Sequence, residues 1–348
     1  MKNNLTIFLS IVLCLCMLVG CGSNGGQQSS ASENSSDPSV ATSTPDSESS
    51  AVTNTPDSSL KTVTVGLIQL VEHPSLDEIR EAIEARLISA GAEYGLTVNV
   101  TYQNAQNDQS MINSICRQFV NDKVDAIIAI ATPAAQGAAT STKDIPVIFS
   151  AVTDPVSAGL VENMDAPEGN VTGTSDAIDV AKIFELADEL TPGIQKIGFI
   201  YNKGEVNSVS VIKQASEYLD GKSIAYEEKT VTTAGEVQQT ARALLETCDA
   251  IFAPIDNTVA SAMNVLADEA IAVGKPVYVA ADSMVNDGGL ATVGVNYTQL
   301  GEQTADMALK ALSGIAVSEI PVEVLKETTR VINKDTAAAL GINEVPAA

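Results

Sequence analysis

From Lys61 onward the chain alternates short aliphatic runs with stretches of helical spacing, and it runs through that alternation twice. This is the signature of βαβ units, in which crossover helices join parallel strands. The first series of predicted strands is Val63–Gln69, Thr97–Gln103, Ala126–Ala131, Val147–Ser150 and Val171–Thr174. The second is Lys196–Tyr201, Ala225–Thr230, Ala250–Pro254, Val277–Ala281 and Thr292–Val295. Val65-Gly66-Leu67-Ile68 is echoed by Ile197-Gly198-Phe199-Ile200, and Asp125-Ala126-Ile127-Ile128 by Asp249-Ala250-Ile251-Phe252. Ile145-Pro146-Val147-Ile148 is echoed by Lys275-Pro276-Val277-Tyr278, with Asp154 and Asp282 following. Buried strands look alike by composition alone, but aspartates at matching points favour an internal duplication. Two helices open on capping-box patterns: Ser75 with Glu78 for Asp77–Tyr94, and Thr233 with Glu236 for Glu236–Thr247.

The expected fold is therefore α/β, with two similar lobes built on parallel sheets and joined by a three-segment hinge. Crossovers are expected near Gly173-Thr174, near Gly288-Gly289-Leu290 and near Pro321–Leu325. Lobe 1 then comprises 61–173 plus 290–323, lobe 2 comprises 174–289, and 324–348 packs back on the lobes. Open α/β sheets bind ligands beyond the carboxyl ends of their strands. Two such lobes face to face line one cleft that can close about the crossovers.

The first sixty residues stand apart. Leu5 to Val19 is an apolar run broken only by Thr6 and Ser10, short for a membrane span and suited to a signal-peptide core. It ends in Leu18-Val19-Gly20-Cys21, which resembles a bacterial lipobox, so residues 1–21 read as a lipoprotein signal with Cys21 as the lipidated residue. Lipid attachment there would supply the two or more chains that stable anchoring needs. Residues 22–60 are dominated by Ser, Thr, Pro and other small polar residues, too poor in apolar groups to offset chain entropy, and read as a disordered tether. Only five of the 44 acids and one of the 19 bases fall in residues 1–60, so the formal charge of −25 belongs mostly to the folded part. Such a surface repels phosphate backbones and argues against nucleic acid as a partner.

Catalytic and cofactor chemistry finds little material. With one histidine, His73, no Ser-His-Asp or Cys-His set can be assembled, which leaves only an enzyme working through paired acids. No Cys/His spacing suggests zinc. Gly221-Lys222-Ser223 is the tail of a phosphate-loop pattern, but position 216 is Ser rather than Gly. Neither metal nor cofactor is expected. Cys14 and Cys16 fall in the signal, and Cys116 and Cys248 fall in different lobes, where two buried free thiols are expected rather than a disulfide.

Several segments resemble one known family. Ala131-Thr132-Pro133-Ala134-Ala135-Gln136 is similar to its third strand-to-helix turn. Its most characteristic stretch is matched by Ser150-Ala151-Val152-Thr153-Asp154-Pro155, Ala158-Gly159-Leu160-Val161 and Gly169-Asn170-Val171-Thr172-Gly173. Gln69, Glu72-His73-Pro74-Ser75-Leu76-Asp77, Tyr201-Asn202, Asn207-Ser208 and Gly288-Gly289-Leu290-Ala291 also match. On these, the chain resembles the substrate-binding lipoproteins of ABC importers that include tryptophan- and tyrosine-binding members, over about residues 62–342. The resemblance implies a type I periplasmic-binding-protein fold and capture of a small molecule, an aromatic amino acid (Trp, Tyr or Phe). It also implies delivery to a membrane permease with an ATPase subunit, at the outer face of the cytoplasmic membrane.

An amino-acid ligand needs donors for its carboxylate and an acceptor for its ammonium. Helix N-termini supply free N–H groups and a favourable dipole. Thr132, where strand Ala126–Ala131 turns into a helix with Pro133 at its start, is a carboxylate donor or a plain cap. Asn207 and Ser208 offer the same chemistry from the second lobe. Asp256 and Asp282 end adjacent strands of lobe 2, and Asp154 ends one of lobe 1. Each is a candidate for a charge-assisted bond to the ammonium, and Asp154 could instead cap its own turn. Gln69, Ser150, Asn202 and Asn257 end strands as uncharged polar groups of the kind that line a mostly apolar pocket. His73, after strand one, is expected at the cleft edge or as a turn residue. Tyr201 could stack on an aromatic ligand, whereas Phe149 and Tyr278 are expected in the core.

The reading is thus a lipid-anchored, non-enzymatic solute-binding protein closing two lobes on an aromatic amino acid. The alternatives are a branched-chain amino acid or nucleoside on the same fold, or a surface sensor rather than a transport component.

Overall fold

The computed structural model describes residues 60–342. The expected signal peptide, Cys21, the tether through residue 59 and the last six residues lie outside the described residues. In chain order, the first lobe begins with β1 (Lys61–Gln69), α1 (Pro74–Ala90), β2 (Leu96–Asn104), α2 (Gln109–Asn121) and β3 (Ala126–Ile130). It continues with α3 (Thr132–Ser141), β4 (Val147–Ser150) and β5 (Val171–Ser175). The second lobe runs α4 (Val180–Leu190), β6 (Lys196–Tyr201), α5 (Val206–Lys222), β7 (Ala225–Thr230), α6 (Val237–Leu245) and β8 (Ala250–Ala253). Then come α7 (Asn257–Ala260), α8 (Met263–Ala272), β9 (Val277–Val279), α9 (Asp282–Asn286) and β10 (Ala291–Gly294). The chain returns through α10 (Tyr297–Leu312), β11 (Glu323–Val324), β12 (Thr329–Ile332) and α11 (Lys334–Ala339).

Two six-stranded sheets result, ordered β11-β5-β4-β3-β1-β2 and β12-β10-β9-β8-β6-β7. Substituting each strand of one series for its counterpart in the other leaves the order unchanged, as a duplication requires. All pairings are parallel except β10 with β12. Burial follows position. The central β3 is buried at every residue, whereas the edge strand β2 alternates, because helices cover both faces only in the middle of such a sheet.

The echoed residues do equivalent jobs. Asp125 accepts the Thr64 amide at 2.7 Å, and Asp249 accepts those of Gln195 and Lys196 at 2.9 Å, so each ties its third strand to its first. Gly66 and Gly198 sit beneath helices: a Cβ at either would lie 2.6 Å from the Phe119 ring or 3.0 Å from Leu244. Helix α2, capped by Asp108 through the Ser110 and Met111 amides, turns Ile112, Ile115, Cys116 and Phe119 inward at helical spacing. Cys116 and Cys248 are buried free thiols, and burial pushes Cys116 up to about 11.

Three expectations are corrected. The Gly288-Gly289 turn is not a crossover, because β10 pairs with β9 and β12 and so stays in lobe 2. The glycines return the chain under α9: Gly288 has φ +110°, and a Cβ on Gly289 would lie 2.9 Å from the Met284 carbonyl. The chain leaves lobe 2 only between Gly294 and Tyr297, after which α10 packs on α1. The last crossover falls between Val324 and Thr329 and adds a strand to each sheet. Neither capping box forms as expected. Helix α1 starts one turn early with His73 as cap, and Glu78 instead accepts the Thr298 amide at 2.9 Å. Glu236 reaches back to the Thr232 amide rather than that of Thr233.

Candidate functional site

The carboxyl ends of both sheets face one cleft, and the two walls touch across it. His73 Nε2 lies 3.3 Å from Asn257 Oδ1, Asn107 Nδ2 donates to Thr258 Oγ1 at 3.3 Å, and Ser75 meets Ser283 hydroxyl to hydroxyl. At the rim, Ser210 donates to Asp154 Oδ2 at 2.7 Å. The space enclosed is small, about 20 Å³. It is walled on the lobe 1 side by His73, Ser75 and Leu76, and on the lobe 2 side by Asn207, Ile255, Asn257 and Met284. Asp176 and Tyr297 close its back, one from each of the first two crossovers. A larger hollow of about 480 Å³ lies between α4 and α5, remote from the cleft and rimmed by Glu185, Asp188 and Glu189.

The lobe 2 wall is built on two buried acids at helix starts. Glu205, the cap residue of α5, accepts from the backbone and side chain of both Asn257 and Thr258 at 2.6–3.0 Å. Asp256 caps α7 through the Val259 amide and also accepts the Asn202 amide and the Ser208 hydroxyl, both at 2.7 Å. Burial, then the neighbouring Glu205, pushes the Asp256 carboxyl well above the usual range. Its lone pairs are committed to the fold.

Asp176 differs. Its Oδ1 accepts the Thr153 hydroxyl at 2.9 Å and its Oδ2 lies 3.5 Å from the Tyr297 hydroxyl, with no cation paired to it among the described residues. Burial pushes it up to about 6. Asp282, at the start of α9, is also raised by burial to about 6 and accepts only the Ser283 amide. Asp154 is lower than usual: burial raises it, but bonds from Ser157 and Ser210 outweigh that. Burial lowers His73 against the raising effects of Asn257, Asp77, Glu205 and Asp287.

Of the residues singled out from the sequence, His73, Asn207, Asp256 and Asn257 line the enclosed space, with His73 in its buried wall rather than at an edge. Ser208 and Asn202 bind Asp256, and Asn202 also reaches Thr258 at 3.0 Å. Thr132 has a buried hydroxyl without a partner but does not line the space. Three expectations change. Gln69 donates to Val71 and Asp77 and so fixes the loop after β1. Ser150 belongs to a buried hydroxyl cluster with Thr174 and Thr304 that seats α10 on the sheet. Tyr201 sits in the lobe 2 core with its hydroxyl on Glu228 at 2.6 Å, turned away from the cleft. Sequence reasoning misses Glu205, Asp176 and Tyr297. Asp176 was discoverable, since it lies one residue past a strand's carboxyl end at a crossover.

Among the described residues no helix is long and apolar enough to cross a membrane, and no group of three or more His, Cys, Asp or Glu residues could hold a metal ion.

Residues 64–345 match the model of the family described as ABC transporter substrate binding protein. The chain is 37% identical to the tyrosine-binding protein of Clostridioides difficile, over 99% of this chain and 94% of that one. Among solved structures it is similar to an ABC domain in complex with L-Trp from Streptococcus pneumonia, at 36% identity and TM-score 0.77, covering 81% of this chain and 96% of that one. It is also similar to the ligand-free, open structure of a Clostridium difficile substrate-binding protein with adhesive properties, at 40% identity, TM-score 0.64 and the same coverages.

Proposed function

Because the chain belongs to the ABC transporter substrate-binding protein family and has its two-lobed type I fold, we propose that it captures an aromatic amino acid by closing its lobes. The observation that carries this reading is Asp176: a buried carboxylate with no cation of its own, at the back of a cleft whose walls belong to different lobes. A buried charge without a partner is costly, and the ammonium of an amino acid offsets that cost. Leu76, Ile255 and Met284 supply apolar wall for a side chain.

The enclosed space holds about one water, so the lobes must part to admit an amino acid. The chain's higher similarity to the L-Trp complex than to the open structure, at similar identity and equal coverage, supports reading this arrangement as the closed one. Ligand affinity for a closed state that re-forms around it, with the walls further apart than in the one-water space found here, would then drive the population shift. In the cell the protein serves as the extracytoplasmic component of an importer, lipid-anchored through Cys21, and presents its closed form to a permease and its ATPase.

Titration calorimetry of the protein with the twenty amino acids and several nucleosides tests the reading. Micromolar or tighter binding of tyrosine or tryptophan is expected. Heat from another solute alone would remove the aromatic assignment. For the anchor, Cys21→Ser should release the protein from membranes; retention there would count against lipidation.

A further inference from the structure

At the cleft two buried acceptors have no partner among the described residues and a third group is a carboxylate with no cation, and the hydrogen-bond network fixes the character of each. Asn257 gives its amide nitrogen to Glu205 Oε2 at 2.6 Å. A carboxylate only accepts, so the Asn257 oxygen must face His73. His73 Nε2, 3.3 Å from that oxygen, therefore carries the ring proton and donates it. Burial keeps the ring neutral, and its other nitrogen is then a bare acceptor. That Nδ1 is buried without a partner among the described residues. Asn207 is oriented in the same way: its nitrogen donates to the Ile255 carbonyl at 2.7 Å, which leaves Oδ1 buried and unpaired. The third acceptor is the Asp176 carboxylate. All three residues line the one enclosed space.

An ammonium has three N–H donors and no acceptor. Resting on the amino-acid reading above, we propose that His73 Nδ1, Asn207 Oδ1 and the Asp176 carboxylate together hold the ligand's primary ammonium. His73 belongs to lobe 1, Asn207 to lobe 2 and Asp176 to the first crossover. Binding one ammonium thus ties all three moving parts together, which makes this group the trigger of closure. Selectivity follows from the count of N–H donors as well as from charge. A ligand that keeps the positive charge but loses N–H groups leaves buried acceptors unpaired, at the cost that unmade hydrogen bonds carry.

The test uses the full chain and three probes, L-tyrosine, N,N-dimethyl-L-tyrosine and 3-(4-hydroxyphenyl)propanoate, which lacks the amine. Wild type should bind tyrosine about a hundredfold more tightly than the dimethyl analogue, two unmade charge-assisted bonds at about tenfold each, and about a thousandfold more tightly than the propanoate, which loses all three. His73→Gln places a donor where Nε2 was but no acceptor where Nδ1 was, and should shrink that preference about tenfold. His73→Asn offers an amide oxygen near the Nδ1 position and should keep most of it. Dimethyltyrosine binding as well as tyrosine would overturn the cage without any mutation. So would equal losses for all three probes in His73→Gln, which would mark the histidine as structural. If wild type binds no aromatic amino acid but binds another primary amine more tightly than that amine's N-methylated form, the aromatic assignment fails while the cage stands. Equal binding of those two forms would overturn the cage as well. Tight binding of a solute without an ammonium overturns both.

Discussion

The hydroxyl of Tyr297 lies 3.5 Å from Asp176 Oδ2, although 121 residues separate them in the chain. They belong to different passages between the lobes: Asp176 begins one just after β5, and Tyr297 ends another at the first turn of α10. Both are buried: burial and then Asp176 push the Tyr297 phenol well above its usual range, while the hydrogen bond from Tyr297 favours the ionised carboxylate of Asp176. The contact places a charged group where two of the crossovers between the lobes meet.

Asp176→Asn should separate stability from binding. A carboxyl raised from 3.8 to about 6 contributes stability below pH 4, and that contribution is lost as pH rises through 6. At pH 7.5 the ionised group therefore costs on the order of 3 kcal/mol. The variant should melt about 5 °C higher than wild type at pH 7.5, with the gap closing by pH 4, and should bind tyrosine on the order of a hundredfold more weakly. Equal melting at pH 7.5 would contradict the burial argument, and unchanged affinity would remove Asp176 from the ligand site.

Ser210→Ala should loosen the closed form. The Ser210 hydroxyl bridges the rim of the cleft to Asp154 at 2.7 Å, but Asp154 is partly solvated. The bond is worth about 1 kcal/mol, or roughly a fivefold shift between open and closed populations. Small-angle scattering of the ligand-saturated variant should show no change, while tyrosine affinity drops by about that factor. An unaltered affinity would mean that the rim contact contributes nothing to closure.

Gly301→Ala tests the packing of the returning helix. A Cβ there would lie 2.6 Å from the Ile79 carbonyl oxygen and 2.8 Å from the Ala82 Cβ, both on α1. Neither is a flexible side-chain end, so the helices must separate, at about 1–3 kcal/mol. Urea denaturation should register that loss, whereas a stable variant would require α10 to shift without cost.

The absence of tryptophan from the sequence makes the ligand its own reporter. L-Tryptophan transferred from water into the apolar wall of Leu76, Ile255 and Met284 should shift its emission to shorter wavelength. Saturable titration of that shift would give the affinity directly, and competition by tyrosine would place both in one site.

Much of the architecture is legible in the residues alone. Ten strands are foreseen to within one residue at each end, except that β9 ends two residues early and β1 begins two earlier, because aliphatic runs flanked by helical periods have few other ways to be buried. The Gly288-Gly289 crossover is misplaced because a glycine pair signals a tight return equally well within a lobe or between lobes. The strands β11 and β12 are not foreseen: Glu323-Val324 is too brief to carry a pattern, and Thr329–Ile332 holds only two aliphatic residues.

The site divides in the same way. Sequence alone determined the duplicated α/β plan, the position of polar residues at strand carboxyl ends, and the single histidine after the first strand. Those follow from local periodicity and chain order. Which of those residues remain free for a ligand was decided only by tertiary structure. Asp256, Ser150 and Tyr201 have hydrogen-bonding capacity taken up by partners distant in the chain, and Gln69 by the loop that follows its strand. His73 Nδ1 and Asn207 Oδ1 are left without a partner among the described residues, and Asp176 without a cation. Hydrogen-bond capacity is used up pairwise in space, and a sequence does not show the pairs.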